Sequence, residues 1–366
     1  MGIADAAISR WQDILFCVKK DNHMRYRTLG NSGTVVSTYA MGTMTFGAEA
    51  DEATSHAILD DYVAAGGNFV DTADVYSTGV SEEIIGRWLA AHPTQGEQVV
   101  IATKGRFAMG DGRNDLGTSR RHLARALDAS LRRLGVEQID LYQMHAWDGV
   151  TPVEETLRFL DDAVRAGKIA YYGFSNFLGW QLTKAVHVAR ANGFTPPVTL
   201  QPQYSLLVRE IESEIVPAAL DASIGLLTWS PLAGGWLTGK YQRDIDPIGA
   251  TRLGEDPGRG MEAWAPRNTQ ERTWLILDMV KEIAKAKGVS QGQVALAWLE
   301  AQPAVTSVIL GARTTDQLAD NLSAAFVQLT ADELGRLGQV STPVVSDYPY
   351  GVAGAAQRNR TIDVNR

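Results

Sequence analysis

The chain has 366 residues, with 42 acidic and 34 basic side chains, a formal charge of −8 at pH 7 and 45% hydrophobic residues. This composition is typical of a soluble globular protein, and the acidic isoelectric point of about 5.3 argues against non-specific binding to nucleic acid or to an anionic membrane. The single cysteine, Cys17, excludes an internal disulfide and a cysteine-based zinc site, and it fits a reducing, cytoplasmic setting.

The first 23 residues lack the features of a targeting signal. Charged side chains, among them Asp5, Arg10 and Asp13, interrupt every apolar run in this stretch. No stretch of about 18 apolar residues occurs in the chain, so no membrane-spanning helix is expected. Residues 1–23 are predicted to be a disordered extension that the fold does not need, and residues 24–366 are predicted to form one folded unit.

From residue 24 onward, short β-rich runs alternate with longer amphipathic runs. A hairpin is predicted first, because residues 26–29 and 35–38 flank the turn sequence Gly-Asn-Ser-Gly. The predicted strands that follow are 39–43, 68–72, 99–103, 140–144, 169–174, 198–201, 224–228 and 305–309. The predicted helices are 52–65, 82–91, 119–134, 153–166, 179–192, 210–222, 273–287 and 315–322. Glycines follow the helices at 66–67, 135, 167, 193 and 288, as expected of helix ends.

Eight strands, each followed by a helix, give the order of a closed parallel barrel. The predicted fold class is therefore α/β: a single (β/α)8 TIM barrel with an N-terminal β-hairpin at its floor and long mouth loops. Residues 242–267 are rich in Gly, Pro and charge, lack periodicity, and are predicted to form one of these loops. A doubly wound open sheet would alternate similarly, but no G-x-G-x-x-G fingerprint follows the first strand.

Reactive side chains of such a barrel lie at the carboxyl ends of its strands, and four polar residues there form an acid–base set. Asp71 lies at the end of the second strand with Tyr76 just beyond it, Lys104 at the end of the third strand and His145 at the end of the fourth. A tyrosine hydroxyl has a pKa near 10, and we expect the Lys104 ammonium, held by Asp71, to lower it. Tyr76 would then donate a proton to a substrate carbonyl that His145 orients. Each residue alone could be an ordinary core or ion-paired residue, but their joint placement favours catalysis.

Seven motifs occur along the chain in one order. They are Gly-Gly-Asn-Phe-Val-Asp-Thr-Ala-Asp-Val-Tyr at 66–76, Ile-Ala-Thr-Lys at 101–104, Asp-Leu-Tyr-Gln-Met-His at 140–145, Gly-Phe-Ser-Asn at 173–176, Gln-Pro-Gln-Tyr at 201–204, Trp-Ser-Pro-Leu-Ala-Gly-Gly at 229–235 and Gly-Ala-Arg at 311–313. Together they resemble the aldo-keto reductase family over nearly all of residues 24–340. The resemblance is closest to the bacterial branch that also resembles potassium-channel β-subunits.

The resemblance implies an NADP-dependent aldo-keto reductase or alcohol dehydrogenase that reduces an aldehyde or ketone to an alcohol, or runs the reverse reaction. Tyr76 is implied as the general acid–base, with Asp71, Lys104 and His145 as its partners. The implied cofactor contacts are Gly42, Thr43, Ser175, Asn176, Gln201, Trp229, Ser230, Pro231, Leu232, Gly234, Arg313, Gln317 and Asn321.

Different members of this set are expected at different parts of the cofactor. Ser175, Asn176 and Gln201 should hold the nicotinamide carboxamide, Trp229 should stack on the nicotinamide ring, and residues 230–238 should wrap the pyrophosphate. Arg313, with Gln317 and Asn321, is expected at the adenosine end. An arginine there matches a ribose 2′-phosphate, which favours NADPH over NADH. Gly311 and Ala312 depart from the Lys-Ser pair of some family branches, and Arg313 could instead pair with Asp316 or Asp320.

Two other functions stay open at this point. A regulatory subunit that binds NADPH and gates a partner, with slow residual chemistry, fits the same family branch, although we find no dedicated apolar segment for a partner. A metal-dependent hydrolase on the same barrel would need ligands, and the sequence shows no His-x-His pair, carboxylate cluster or cysteine set, so no metal is expected. The expected partner is a small carbonyl or alcohol, with no nucleic acid and no membrane.

Overall fold

Ten strands form two sheets in the computed structural model, which describes residues 24–249, 251–258 and 260–358. The antiparallel hairpin pairs β1 (Tyr26–Thr28) with β2 (Val35–Ser37). The other strands are β3 (Tyr39–Gly42), β4 (Phe69–Asp71), β5 (Val100–Gly105), β6 (Ile139–Met144), β7 (Ile169–Ser175), β8 (Thr199–Gln201), β9 (Gly225–Thr228) and β10 (Val305–Gly311). These eight run parallel in sequence order, and β10 closes onto β3, which confirms the predicted TIM barrel and hairpin. The predicted extension 1–23 and residues 359–366 lie outside the described residues.

Helices follow the barrel strands. The longer ones are α1 (Glu52–Ala64), α2 (Val80–Ala91), α3 (Arg120–Leu134), α4 (Val153–Arg165), α5 (Gly179–Ala191), α6 (Ile215–Ala222), α7 (Glu271–Lys287), α8 (Gln291–Glu300), α9 (Thr315–Leu322), α10 (Ala331–Val340) and α11 (Val352–Arg358). Shorter helical turns are Tyr76–Gly79, Pro93–Gly96, Glu210–Ser213, Ala233–Thr238, Arg252–Glu255, Gly260–Glu262, Trp264–Asn268 and Ser323–Phe326. Local chemistry explains the boundaries: Ser119 accepts a hydrogen bond from the His122 amide at the start of α3, and Gly135 ends that helix with φ 68°. None of the described helices has the length and apolarity needed to cross a membrane.

The structure differs from the predicted elements in several places. The predicted helix 210–222 is divided into Glu210–Ser213 and α6, and α6 begins close to Pro217, a residue that is tolerated only in a first helical turn. No helix was predicted at α8, which is buried along nearly its whole length and so lacks the alternation of a surface helix. The helices α10 and α11, which follow the last predicted helix, were not predicted either. Residues 242–267 contain three short helical turns rather than one loop. Trp264 anchors them by stacking on Trp236, with ring centroids 4.9 Å apart.

The hairpin closes the amino end of the barrel, as predicted. Leu29 and Val36 are fully buried and form one apolar cluster with residues from the barrel strands. Their partners are Ala40, Phe69, Ala102, Leu141, Val198, Leu227 and Ile309. Arg27 of β1 also donates a hydrogen bond to the Glu300 carbonyl oxygen at the end of α8. Because the floor is filled and covered, the carboxyl end of the barrel is the end at which side chains can meet a ligand.

We expect Gly30→Ala to destabilise the protein by about 3 kcal/mol or more. Gly30 has φ +55°, and a Cβ atom there would lie 1.9 Å from the Val198 carbonyl oxygen and 3.0 Å from the Gly225 amide nitrogen. Both neighbours are backbone atoms next to barrel strands, so the hairpin itself would have to move.

Gly33→Ala is the matched control in the same turn, because a Cβ atom there has no neighbour within 4 Å. This control should change the free energy of unfolding by less than about 1 kcal/mol. Denaturant unfolding curves of the two variants make the comparison, and equal losses would contradict the packing of the hairpin against the floor.

Candidate active site

Four polar side chains from separate strand ends meet at the carboxyl end of the barrel. Asp71 ends β4, Lys104 is the last residue but one of β5, and His145 directly follows β6. Tyr76 begins the helical turn after β4. Since β4, β5 and β6 are hydrogen-bonded neighbours in parallel register, their ends bring the four predicted residues together.

The Lys104 ammonium is fully buried and has three hydrogen-bond acceptors. Its Nζ lies 2.6 Å from Asp71 Oδ2, 2.7 Å from the Thr72 carbonyl oxygen and 3.4 Å from the Tyr76 hydroxyl. An ammonium has three N–H donors, so each has a partner and the buried charge is compensated. Burial lowers the pKa of Lys104, but the Asp71 carboxylate and the Tyr76 hydroxyl outweigh burial and hold that pKa above its ordinary value. Lys104 is therefore a cation at neutral pH.

Two buried glutamine amides hold the second oxygen of Asp71. Gln201 Nε2 lies 2.8 Å and Gln143 Nε2 3.4 Å from Oδ1. The structure thus directs the Gln201 amide nitrogen towards Asp71, and a contact of Gln201 with a nicotinamide stays a prediction. Gln143 was missed by the sequence reasoning, although its position two residues before His145 on the same strand places it on the barrel interior.

The expectation that the pKa of Tyr76 is lowered is wrong for this site. Burial of the hydroxyl raises the pKa more than the Lys104 ammonium lowers it, and the charges of Asp71 and Asp74 raise it further. The pKa of Tyr76 therefore lies above its ordinary value of 10.0. Tyr76 keeps its proton at neutral pH, which is the state that a general acid needs.

His145 lies against Tyr76 as a neutral ring. The two ring centroids are 5.9 Å apart in an edge-to-face arrangement, and the centroids of the Phe107 and His145 rings are 4.6 Å apart. Burial, together with the charges of Lys104 and Arg106, lowers the pKa of His145 to about 2. Its Nδ1 is buried and has no hydrogen-bond partner among the described residues. A neutral imidazole has one N–H donor, and at this position it can donate a hydrogen bond to a substrate oxygen.

The residues predicted at the nicotinamide carboxamide form one hydrogen-bonded group beside His145. Asn176 follows β7 with φ 55°, and its Nδ2 donates to the His145 carbonyl oxygen at 3.0 Å. Trp229 Nε1 donates to Asn176 Oδ1 at 3.1 Å, and Ser175 Oγ donates to the Gln201 carbonyl oxygen at 2.8 Å. The structure brings these residues to the same mouth as the acid–base set, and their contact with a nicotinamide stays a prediction.

Gly42 and Thr43 lie at the end of β3, next to Asp71. Thr43 Oγ1 donates to the Asp71 carbonyl oxygen at 3.1 Å and accepts a hydrogen bond from Ser81 Oγ at 2.9 Å. A Cβ atom on Gly42 would lie 2.6 Å from Ile309 Cγ2, so the backbone there is closely packed. The Thr43 hydroxyl is thus used inside the fold, where it supports the strand that carries Asp71.

Cationic side chains gather beside the tight loop after β9, which also contains the predicted contacts Pro231 and Leu232. Residues with positive φ shape this loop: Ser230, Ala233, Gly234 and Gly235. A Cβ atom on Gly235 would lie 2.5 Å from Lys240 Nζ, so the ammonium covers the loop backbone. Burial, followed by the charges of Arg313 and Arg252, lowers the pKa of Lys240. The sequence reasoning missed Lys240 and Arg252, because single basic residues in an aperiodic stretch carry no local signal.

Arg313 pairs with acids from other parts of the chain. Its Nη1 lies 3.3 Å from both carboxylate oxygens of Glu255, and its Nη2 lies 3.6 Å from Glu49 Oε1. These partners replace Asp316 and Asp320, the neighbours that the sequence suggested.

Gln317 and Asn321 hold the turn that carries Arg313. Gln317 Oε1 accepts a hydrogen bond from the Arg313 amide at 2.9 Å, and Asn321 Nδ2 donates to the Gly311 carbonyl oxygen at 3.1 Å. Arg313 and these two residues therefore form one structural unit, and its contact with adenosine stays a prediction.

Asp74 is a buried carboxyl group two residues before Tyr76. Neither of its oxygens makes a hydrogen bond of normal geometry within the described residues. Burial and the nearby Glu82 carboxylate raise the pKa of Asp74 to about 7, although the Val75 amide, Arg133 and Lys104 oppose them. Asp74 therefore changes its charge near neutral pH, close enough to Tyr76 for that charge to affect the pKa of the Tyr76 hydroxyl.

Comparison with known proteins places this barrel among reductases. A family model described as the aldo/keto reductase family matches residues 39–342. The chain is 38% identical over 325 residues to the uncharacterized oxidoreductase YrpG of Bacillus subtilis (strain 168), covering 87% of this chain and 96% of that protein.

Two further relatives carry different names. A probable voltage-gated potassium channel subunit beta of Oryza sativa subsp. japonica is 38% identical, over 83% of this chain and 92% of its own. The versiconal hemiacetal acetate reductase of Aspergillus parasiticus is 33% identical, over 87% of this chain and 98% of its own. The predicted resemblance to the family and to its channel-subunit branch is confirmed.

We expect Asp74→Asn to stabilise the protein increasingly as the pH rises. Between the unfolded pKa near 4 and the folded pKa of about 7, the folded state holds a proton that the unfolded chain has lost. The parent therefore loses stability as the pH rises through this window, and asparagine removes that loss. The stability difference between variant and parent should grow by about 2–3 kcal/mol from pH 5 to pH 8.

Asp148→Asn is the matched control, because hydrogen bonds from Thr118, Val150 and Thr151 outweigh burial and lower the pKa of Asp148. Its folded and unfolded states are both ionised above pH 5, so its effect on stability should not change between pH 5 and pH 8. Unfolding curves at the two pH values measure both differences. A pH-independent effect of Asp74→Asn would show that the Asp74 carboxyl is not held protonated by the fold.

Proposed function

The chain belongs to the aldo/keto reductase family, and we propose that it is an NADP(H)-dependent carbonyl reductase or alcohol dehydrogenase acting on small aldehydes, ketones or alcohols. Family membership makes it an oxidoreductase. The observation that carries the proposal is the contact of the buried Lys104 ammonium with both Asp71 and the Tyr76 hydroxyl, beside neutral His145. The relative named as a reductase supports the same reaction class.

The chemistry assigns one task to each of the four residues. When bound, the reduced nicotinamide supplies a hydride to the carbonyl carbon. Tyr76 gives its proton to the carbonyl oxygen, and the Lys104 ammonium stabilises the phenolate that remains. Asp71 fixes the ammonium, and neutral His145 orients the carbonyl oxygen through a hydrogen bond. In the oxidative direction the same step runs in reverse, and the small ionised fraction of Tyr76 that the Lys104 ammonium stabilises removes the proton of the alcohol.

The residues around the mouth fit a phosphorylated dinucleotide. Lys240, Arg252 and Arg313 lie close enough that the two arginines lower the pKa of Lys240, and a bound polyanion would relieve their mutual repulsion. Arg313 would hold a ribose 2′-phosphate, which a planar guanidinium matches well, and this supports NADPH over NADH. Trp229 would face the nicotinamide ring, with Ser175 and Asn176 at its carboxamide.

A second candidate function is a regulatory subunit that binds the same cofactor and gates a membrane partner. The 38% identity with the rice protein named as a channel subunit favours it. Both functions use the same cofactor site, so the rate of carbonyl turnover separates them.

The proposed function is tested by following the absorbance of reduced nicotinamide across a panel of carbonyls and alcohols, with NADPH and NADH. We expect turnover that is faster with NADPH. Tyr76→Phe should lower kcat by about 10²–10⁴-fold, because it removes the proton donor, and should leave the Kd for NADPH within about two-fold.

Tyr142→Phe is the matched control, since it removes another buried hydroxyl, one without a hydrogen-bond partner among the described residues. Its kcat should stay within about three-fold of the parent. Full turnover by Tyr76→Phe would contradict the assignment of the acid. Tight NADPH binding without turnover of any carbonyl would instead support the regulatory subunit.

A further inference from the structure

Arg106 is a strained arginine at the mouth of the barrel that the proposed chemistry does not use. It directly follows Gly105, the last residue of β5, and lies two residues after Lys104. Its φ of 137° falls in a region that glycine adopts readily and other residues rarely do. Keeping a non-glycine residue there costs free energy, and such strain persists mainly where the side chain has a task.

The Arg106 guanidinium lies against the rings that border His145. Its Cζ is 5.0 Å from the centroid of the Phe107 ring, which in turn is 4.6 Å from the His145 ring. Its Nη2 donates to the Trp147 carbonyl oxygen at 3.3 Å. The charge of Arg106 contributes to the lowered pKa of His145, so the cation acts on the candidate catalytic ring.

Arg106 has no anionic partner within the part of the chain that the structure describes, since no carboxylate there forms an ion pair with it. Its Nε is buried and makes no hydrogen bond to any described group. Two other poorly exposed arginines behave differently: Arg133 pairs with Glu82, and Arg267 pairs with Glu262. Arg106 therefore keeps unused N–H donors in a partly buried place, where a bound anion would be weakly screened.

Aromatic side chains extend from this cation towards the surface. The Trp147 ring packs edge-on against Phe177 at 5.2 Å and against Trp180 at 5.5 Å. Trp180 is 54% exposed, an unusual amount for so large an apolar ring. The Arg106 cation and the Phe107 ring thus lie beside His145, and the hydrogen bond to the Trp147 carbonyl joins them to this aromatic group.

We propose that Arg106 binds the carboxylate of the substrate, so that the preferred substrates are aldehydes or ketones with an aromatic or apolar body and a carboxylate group. The planar fork of the guanidinium matches a carboxylate through two parallel hydrogen bonds. Phe107 and Trp147 would contact the apolar body while the carbonyl group lies at Tyr76. This inference rests on the proposed function, because it names the substrate class of the same site.

The test compares 4-carboxybenzaldehyde with methyl 4-formylbenzoate, which differ in charge but present similar carbonyl groups. With NADPH, the parent should have a KM for the acid at least about ten-fold below that for the ester. Arg106→Met should raise the KM for the acid by about 10–100-fold, with kcat and the ester kinetics within about three-fold. Arg106→Lys should retain part of the preference, since it keeps the charge and loses the fork.

Arg113→Met is the matched control, because Arg113 is an exposed arginine of the same loop. It should leave the ratio of the two KM values unchanged. Arg106→Gly tests a purely structural role. Glycine relieves the strain at φ 137°, so the thermal midpoint should equal or exceed that of the parent while the acid preference is lost. A fall of several degrees with equal losses for acid and ester would make Arg106 a structural residue and overturn the inference.

Binding measured without turnover keeps this inference separate from the proposed function. Isothermal titration of the parent with 4-carboxybenzaldehyde, in the presence of NADP+, should give a Kd at least about ten-fold below that of the ester. Arg106→Met should abolish the difference. Equal Kd values in the parent would overturn the anionic substrate class, whatever the turnover. Selective binding without reduction by NADPH or NADH would instead overturn the proposed function alone.

Discussion

The buried ion pair between Lys104 and Asp71 is the constraint on which the rest of the site depends. The Lys104 ammonium donates hydrogen bonds to Asp71, the Thr72 carbonyl oxygen and Tyr76. The second carboxylate oxygen of Asp71 accepts hydrogen bonds from glutamines of β6 and β8. Two charges can be held inside the barrel only when all these groups are in register, because removing one partner of a buried pair costs about 3–5 kcal/mol. The apolar floor under the hairpin and the polar upper end are thus complementary parts of one barrel. The apolar floor stabilises the barrel by hydrophobic burial. The rigid strand ends that result hold Lys104 and Asp71 in place at the carboxyl end.

The electrostatics of the mouth differ from those of the whole chain. The chain carries a formal charge of −8, yet Lys104, Arg106, Lys240, Arg252 and Arg313 all lie around the upper end of the barrel. Burial, with the charges of Lys104 and Arg106, keeps His145 neutral, and burial, with the charges of Arg313 and Arg252, lowers the pKa of Lys240. Asp71 pairs with Lys104, and Glu49 and Glu255 pair with Arg313, but Arg106 and Lys240 favour binding of anions at this end. A phosphorylated cofactor and a carboxylate substrate are therefore compatible with one another at this mouth.

The sequence predicted the barrel and the acid–base set because both follow from local patterns. Short apolar runs indicated the eight strands, and glycines indicated the ends of the helices between them. The rule that reactive groups lie at strand ends then located Asp71, Tyr76, Lys104 and His145. Features that depend on tertiary contact were not predictable. The direction of the Tyr76 pKa depends on burial that no local pattern contains, and α8 is too uniformly buried to show a helical period. The role of Arg106 had no local signal either, because its positive φ and the absence of an ion pair with any described carboxylate are visible only in the fold.

The central claim is that the Lys104 ammonium favours the ionised form of Tyr76, against the effect of burial. It is tested most directly by carbon-13 NMR titration of protein labelled at the tyrosine Cζ, with the Tyr76 resonance assigned from Tyr76→Phe. The titration midpoint of Tyr76 in Lys104→Met should lie at higher pH than in the parent, because the stabilising cation is gone while burial and Asp71 remain. An unchanged or lower midpoint in Lys104→Met would contradict the account.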